Sequence, residues 1–386
     1  MAAQAIAIKV LLCIVLWLAL PLESVAQSTN STKPLTLAFY HPWYGTPWGS
    51  AKKFYKWDSF KFPDRYSPEG FKENGERDIA SADYPLFGLY DNGDPEIVRW
   101  HFRLAKAAGI DGFLCSWWKL SRPHELWDWQ VSIFENVLLP IAAEEDFKIA
   151  VIDECAHYIK NYDQLVNRAV THLPRYAKHP GYLKIDGQPV WFIYQVWDDW
   201  LKADQAARYV ATVEKEVGDV FWIWDKLKVT ATSEPPGAKM MSYPGWLDIK
   251  SIDAFGTYSY VGHWRDTNAQ HIAQLYKGYV DEVRAAGKKV ALPAIPGHDN
   301  TPVHEQPFIV PRENGQTLKN FLAAMDIARP DIVLICSWNE WLETTQVEPS
   351  RGWADPYLYL KTIAAWRGKG WKTPPLPPET SLDPKR

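Results

Sequence analysis

A single (β/α)8 barrel is the fold predicted here, on three observations. Eight short apolar, β-branched runs recur along the chain, and amphipathic helical patterns separate most of them. Residues able to bind or do chemistry gather after the carboxyl ends of these runs rather than before them. The 386 residues suit one large barrel and bury a full core. No glycine-rich phosphate loop follows any run, which disfavours a dinucleotide-binding sheet.

The amino terminus reads as a processing segment. Lys9 supplies a short positive flank, residues 10–20 are apolar but too short to span a bilayer comfortably, and Ser24-Val25-Ala26 offers a small-x-small cleavage site. Residues 1–26 are therefore expected to be a signal peptide, with an uncleaved anchor as the alternative. Residues 27–386 are expected to form one soluble, exported catalytic domain in the periplasm, the secretory lumen or outside the cell, with no membrane partner after cleavage. Asn30-Ser31-Thr32 is a glycosylation sequon.

The first strand is expected over 35–40, running into His41-Pro42-Trp43-Tyr44-Gly45. Residues 46–93 are rich in Pro, Gly, Asp and aromatics without a clean period, which predicts a long functional loop. Asp94 as cap and Pro95 in the first turn open a helix whose stripe is Ile97, Trp100, Leu104 and Ala108, and Gly109 stops it. Strands follow over 110–115, 148–153, 189–194, 220–224, 252–257, 289–294 and 331–337. Helices are expected over 126–144, 161–178, 199–216, 269–286 and 316–328, with a last one near 355–367. The interval 226–249 breaks the alternation, holding Pro235, Pro236 and Pro244.

In a barrel, chemistry collects where strands end. Those ends carry His41, Trp43 and Tyr44; Trp117 and Trp118; Asp153, Glu154 and His157; Tyr194 and Gln195; Trp224 and Asp225; Tyr258 and Tyr260; His298; and Asn339, Glu340, Trp341 and Glu343. Opposite ends hold solvating residues such as Lys148, Lys288 and Asp331. Composition agrees: 21 Trp, 19 Tyr and 15 Phe exceed what a core needs and point to an aromatic-lined groove; aromatics set beside carboxylates would offer flat faces to the rings of an oligo- or polysaccharide. A net charge of -4 gives no basic footprint for nucleic acid. Cys115, Cys155 and Cys336 each lie in or beside apolar runs and read as buried thiols. His41, His157, His263, His298 and His304 lack the helical spacing of a zinc site, so neither metal nor cofactor is expected.

The segment 331–350 concentrates the chemistry. Its apolar run discharges into Trp338, Asn339, Glu340, Trp341 and Glu343. Two nearby carboxylates, one protonated and one ionised, are the minimum for breaking a glycosidic bond. The alternative for Glu340 and Glu343 is salt bridging or helix capping.

These residues resemble glycoside hydrolase family 99, the endo-α-mannosidases and endo-α-1,2-mannanases. The matching stretches are Ala38-Phe39-Tyr40-His41-Pro42-Trp43-Tyr44-Gly45, Tyr84-Pro85 through Pro95-Glu96, Ser116-Trp117-Trp118, Glu154, Asp253 to Tyr258, Arg312 to Gly315, and Asn339-Glu340-Trp341-Leu342-Glu343. The resemblance implies that Glu340 deprotonates the sugar 2-hydroxyl, which displaces the leaving group and forms a 1,2-anhydro sugar. It implies that Glu343 protonates the departing oxygen and then activates water, for net retention. It implies that Tyr44, Trp117, Trp118, Glu154, Tyr258, Arg312 and Asn339 line the subsites. On their own, Arg312 also reads as a loop ion pair and Trp118 as core. Leu342 and Thr344 stand where the family has His and Gly. An Asn-Glu-Trp-x-Glu sequence also occurs in barrels attached to surface-polysaccharide glycosyltransferases, which keeps glycan assembly as an alternative; a non-catalytic sugar-binding barrel is the other.

Overall fold

A computed structural model describes residues 33–154, 158–194, 200–230, 238–259 and 265–385. The signal-peptide and sequon expectations, and Cys155, His157, Gln195, Tyr260 and His263, lie outside them. Eight parallel strands close on themselves: β1 (Leu35–Tyr40), β2 (Gly112–Trp117), β3 (Lys148–Asp153), β4 (Gln188–Tyr194), β5 (Phe221–Asp225), β6 (Ala254–Gly256), β7 (Lys289–Ala294) and β8 (Ile332–Ile335). Closure is made by β8 beside β1, with Leu35 opposite Ile332, and the β3–β4 neighbours pair Val151 with Trp191. The strands read as apolar runs because both faces are covered, by barrel interior on one side and helices on the other. Leu37, Phe113, Val151, Phe192, Ile223, Phe255, Leu292 and Leu334 are all inaccessible to solvent. Gly112 permits close strand packing, since a Cβ there would lie 2.7 Å from the Lys148 carbonyl oxygen.

The outer layer comprises α1 (Pro95–Ala108), α2 (Glu125–Ile133), α3 (Leu139–Glu144), α4 (Tyr162–Ala177), α5 (Ala203–Val217), α6 (Ala269–Ala285), α7 (Gln316–Ala328) and α8 (Leu358–Trp366). Helix α1 begins as its sequence dictates, with the Asp94 carboxylate accepting from the Glu96 and Ile97 amides, and ends on left-handed Gly109. The helix expected over 126–144 is interrupted by a π turn at Phe134–Leu138. Pro140, just beyond, has no N–H to continue the ladder. Between β5 and β6 the described residues hold an antiparallel hairpin, Leu227–Thr230 with Lys239–Ser242, in place of a helix.

The long segment after β1 folds into a second small core over the carboxyl-terminal mouth of the barrel. Trp43, Tyr44, Trp57, Tyr84, Leu89 and Tyr90 pack there with Trp341 and Leu382. A buried ion pair staples it to the chain end: Arg77 donates from Nε and Nη2 to the Asp383 carboxylate at 2.6 and 3.1 Å. Aromatic packing, not a periodic pattern, orders this stretch.

Candidate active site

The residues after β8 form a tight loop closed by its own backbone. Ser337 N–H donates to the Thr345 carbonyl at 2.8 Å, Val347 N–H to Ser337 at 2.9 Å, and Glu348 N–H to Trp338 at 2.9 Å. Glu340 and Glu343 sit at its tip and line one groove of about 920 Å³ with Trp43, Lys56, Phe60, Trp118, Trp127, Tyr158 and Leu342. The indoles of Trp118 and Trp127 stack at 4.9 Å and 16°, and Tyr158 leans on Trp118 at 4.9 Å. Flat apolar faces beside two carboxylates suit a pyranose ring.

The loop is braced from three sides. Asn339 accepts from the His41 N–H at 2.7 Å and donates to the His41 carbonyl at 3.0 Å, tying β8 to β1. The Tyr44 hydroxyl accepts from the Trp341 N–H at 2.9 Å. Arg312 donates to the Thr344 and Gln346 carbonyls, each at 2.9 Å, and pairs with Asp83. Beneath lies a buried carboxylate: Glu348 accepts from Tyr90 Oη at 2.7 Å and from Trp341 Nε1 at 3.1 Å.

Of the expected subsite residues, Trp118 lines the groove, while Tyr44, Trp117, Arg312 and Asn339 make other contacts in this structure. Tyr44 and Asn339 are fully buried and hold backbone. Arg312 is a loop brace, the alternative its sequence position allowed. Trp117 points out of the barrel, where its ring meets His172, Tyr176, Trp191 and the Arg168 guanidinium. Successive residues of a strand face opposite sides, so with Trp117 outward, Trp118 is the one that reaches the groove. Tyr258 and Glu154 face the acids electrostatically: charges on Glu343, Glu340 and Glu154 raise the Tyr258 hydroxyl after burial does.

Lys56 was not singled out from the sequence. It comes from the long loop after β1, and its Nζ lies 4.9 Å from the Trp43 ring and 5.3 Å from the Trp127 ring. Burial lowers its pKa, while Glu340, Glu154 and Asp58 hold it up. A lone Lys in an aperiodic stretch carries no signal of this placement.

Electrostatics set a problem for Glu340. Burial pushes its carboxyl well above the ordinary range, and the charge of Glu343 adds to this. Lys56 and the Leu342 N–H, which donates to Oε1 at 3.1 Å, oppose it. Glu154 is pushed up to about 7 by burial, against the Ser116 hydroxyl and Lys56. Glu340, Glu343 and the half-buried Lys56 thus meet at the groove, with Glu154 acting on Glu340 and Lys56 electrostatically, an arrangement in which protons are shared unequally and acid and base roles separate.

A family model described as Glycosyl hydrolase family 99 matches residues 32–217. The human glycoprotein endo-alpha-1,2-mannosidase-like protein is 23% identical over 356 residues, covering 85% of this chain and 74% of its own. The rat glycoprotein endo-alpha-1,2-mannosidase is 22% identical over 364 residues, covering 86% and 74%. The chain belongs to glycosyl hydrolase family 99. The solved endo-alpha-mannosidase of this family from Bacteroides thetaiotaomicron superposes with a TM-score of 0.66 at 23% identity, covering 86% of this chain and 96% of that one. A second family model, described as Glycosyltransferase WbsX, matches residues 157–361, and the chain belongs to that family as well. The family 99 membership places the protein among glycoside hydrolases, on the barrel that the solved relative shares. Among the described residues no helix is long and apolar enough to cross a membrane.

Proposed function

We propose that the protein is an exported, endo-acting glycosidase that cleaves α-mannosidic linkages in mannose-rich glycans with retention. The observation that carries this is the pair Glu340 and Glu343 at the tip of one loop, facing one aromatic groove. The mannose preference rests on the names of the relatives, and export rests on residues 1–26 and 27–386 read as leader and mature domain. In the proposed reaction Glu340 takes the proton of the sugar 2-hydroxyl as that oxygen attacks the anomeric carbon. Glu343 donates its proton to the departing oxygen, then takes one from the water that attacks the anomeric carbon and opens the 1,2-anhydro ring, while Glu340 returns its proton to the 2-oxygen. Trp118 and Trp127 supply the stacking face, while Lys56 holds the groove's carboxyls toward ionisation. An α-mannoside fits the chemistry, because its 2-hydroxyl lies trans to the leaving group.

The WbsX match over the segment containing both acids favours a second reading, glycan assembly from an activated sugar. One assay separates them. The purified mature chain is incubated with defined α-mannans, with and without sugar nucleotides, and products are followed by NMR. Oligosaccharide release with retained configuration and no nucleotide requirement supports the hydrolase, and Glu340→Gln and Glu343→Gln should each abolish it while sugar binding persists. Turnover only with a sugar nucleotide, or near-normal cleavage by either variant, overturns the assignment.

A further inference from the structure

Burial works against Glu340 as a base, so something must hold its carboxylate form beyond Lys56 and one amide. We infer that His41 is a positioning residue for Glu340, its Nδ1–H aimed at the carboxylate while the Tyr258 hydroxyl fixes the ring's tautomer through Nε2. This rests on Glu340 acting as the base.

The imidazole is placed, not free. Its backbone is gripped at both polar groups by the Asn339 side chain, and its ring packs on Trp43 at 4.5 Å. It is 4% exposed, with Nε2 3.3 Å from Tyr258 Oη and Nδ1 3.6 Å from Glu340 Oε2. Nδ1 has no hydrogen-bond partner among the described residues. Burial, with help from the Lys56 charge, lowers the ring's pKa to about 3, so it carries one N–H at working pH.

Two tautomers are then possible, and only one fits. With the proton on Nε2, the Nδ1 lone pair would face a carboxylate oxygen, acceptor against acceptor. With the proton on Nδ1, Tyr258 donates to Nε2 and the ring donates toward Oε2. Glu340 Oε1 already accepts from Leu342, so each oxygen would have one N–H and keep a lone pair for the sugar hydroxyl. At 3.6 Å the Nδ1–Oε2 separation is longer than a hydrogen bond in this substrate-free geometry, and such contacts tighten when substrate binds. Other groups facing Glu340 are Glu343 on its own loop, the buried Cys336 thiol just after β8, which also meets the Tyr258 hydroxyl, Lys56 and Tyr44 from the segment after β1, Glu154 after β3 and Tyr258 after β6. The two acids favour its protonated form; Lys56 and the N–H donors favour its ionised form.

The test uses the full-length mature enzyme with His41→Phe, which keeps an aromatic filler without a donor, and His41→Asn, whose amide restores a donor near Nδ1. Losing a hydrogen bond to the charged form raises the acid's pKa. His41→Phe should move the acidic limb of kcat/KM upward by about one pH unit, a loss of about ten-fold on that limb, with KM near the parent value above the limb. His41→Asn should return the limb most of the way. In 15N-histidine NMR of the parent, the resonance pair absent from His41→Asn should show a protonated Nδ1 and a bare Nε2 between pH 5 and 8. An unmoved limb in folded His41→Phe, an Asn variant no better than Phe, or an Nε2–H tautomer overturns the inference. Should His41→Phe fail to fold, the Asn profile and the tautomer decide. Retained activity in Glu340→Gln would instead sink the base assignment, whatever His41 does.

Discussion

Glu348 offers a stringent test of how the loop carrying Glu340 and Glu343 is held. The residue is 1% exposed and its carboxylate collects three donors: Tyr90 Oη at 2.7 Å and Trp341 Nε1 at 3.1 Å on Oε2, and His101 Nε2 at 3.2 Å on Oε1. The polarity continues outward, because Asn92 Nδ2 donates to Tyr40 Oη at 2.9 Å and Tyr40 Oη lies 3.1 Å from His101 Nδ1. With Tyr40 donating to Nδ1, the His101 proton is on Nε2 and points at Glu348. In Glu348→Gln the amide oxygen can serve Tyr90 and Trp341, but the NH2 then faces the Nε2–H. Moving the His101 proton to Nδ1 turns it against Tyr40, whose own proton loses its acceptor. Every arrangement strands one buried donor, at about 1–3 kcal/mol, and the surviving bonds lose their charge assistance at roughly 1 kcal/mol more. The expected loss is about 2–4 kcal/mol, or roughly 3–5 °C in the melting temperature at the usual entropy per residue for a domain this long. Because Trp341 hangs on Glu348 and lies between the two acids in sequence, kcat should fall as well. Differential scanning calorimetry and kinetics on one mannan substrate measure both. A variant within about 0.5 kcal/mol of the parent, with unchanged kcat, would refute the network's polarity and its claimed hold on the loop.

Lys56→Met removes the cation that holds the groove's carboxyls down, so the Glu340 and Glu154 pKa values rise further. A base that must be ionised is then lost at higher pH: activity should fall most on the acidic side and recover toward alkaline pH, and a uniform loss would contradict this role. Trp117 and Trp118, adjacent in sequence, should separate cleanly. Trp117→Leu, in the packed layer, should cost about 2–4 kcal/mol in denaturant unfolding with KM little changed. Trp118→Leu should leave stability within about 1 kcal/mol and raise KM about ten-fold through lost stacking; the reverse pattern would mean the two rings are misassigned.

The barrel was legible in the sequence because its strands must be apolar on both faces while its helices need one stripe. Both periods survive in one dimension, and 148–153 and 289–294 emerge as β3 and β7 residue for residue. The segment with its two acids was legible too, since a buried strand ending in Trp-Asn-Glu-Trp-Leu-Glu conflicts with packing alone. The interval 226–249 was rightly set apart, though its hairpin was not foreseen.

The sequence alone thus determined the fold class and the end of the barrel at which Glu340 and Glu343 stand. Only the tertiary structure decided which neighbours touch the groove. Tyr44, Asn339 and Arg312 turn inward to hold backbone, Trp117 turns outward to α4, and Lys56 arrives from an aperiodic loop to sit among the acids. The physical reason is that hydrophobic periodicity encodes which face of an element is buried, whereas the direction of a loop side chain is set by contacts between segments hundreds of residues apart. His41 and Asn339 meet across 298 positions, and no local pattern records that meeting.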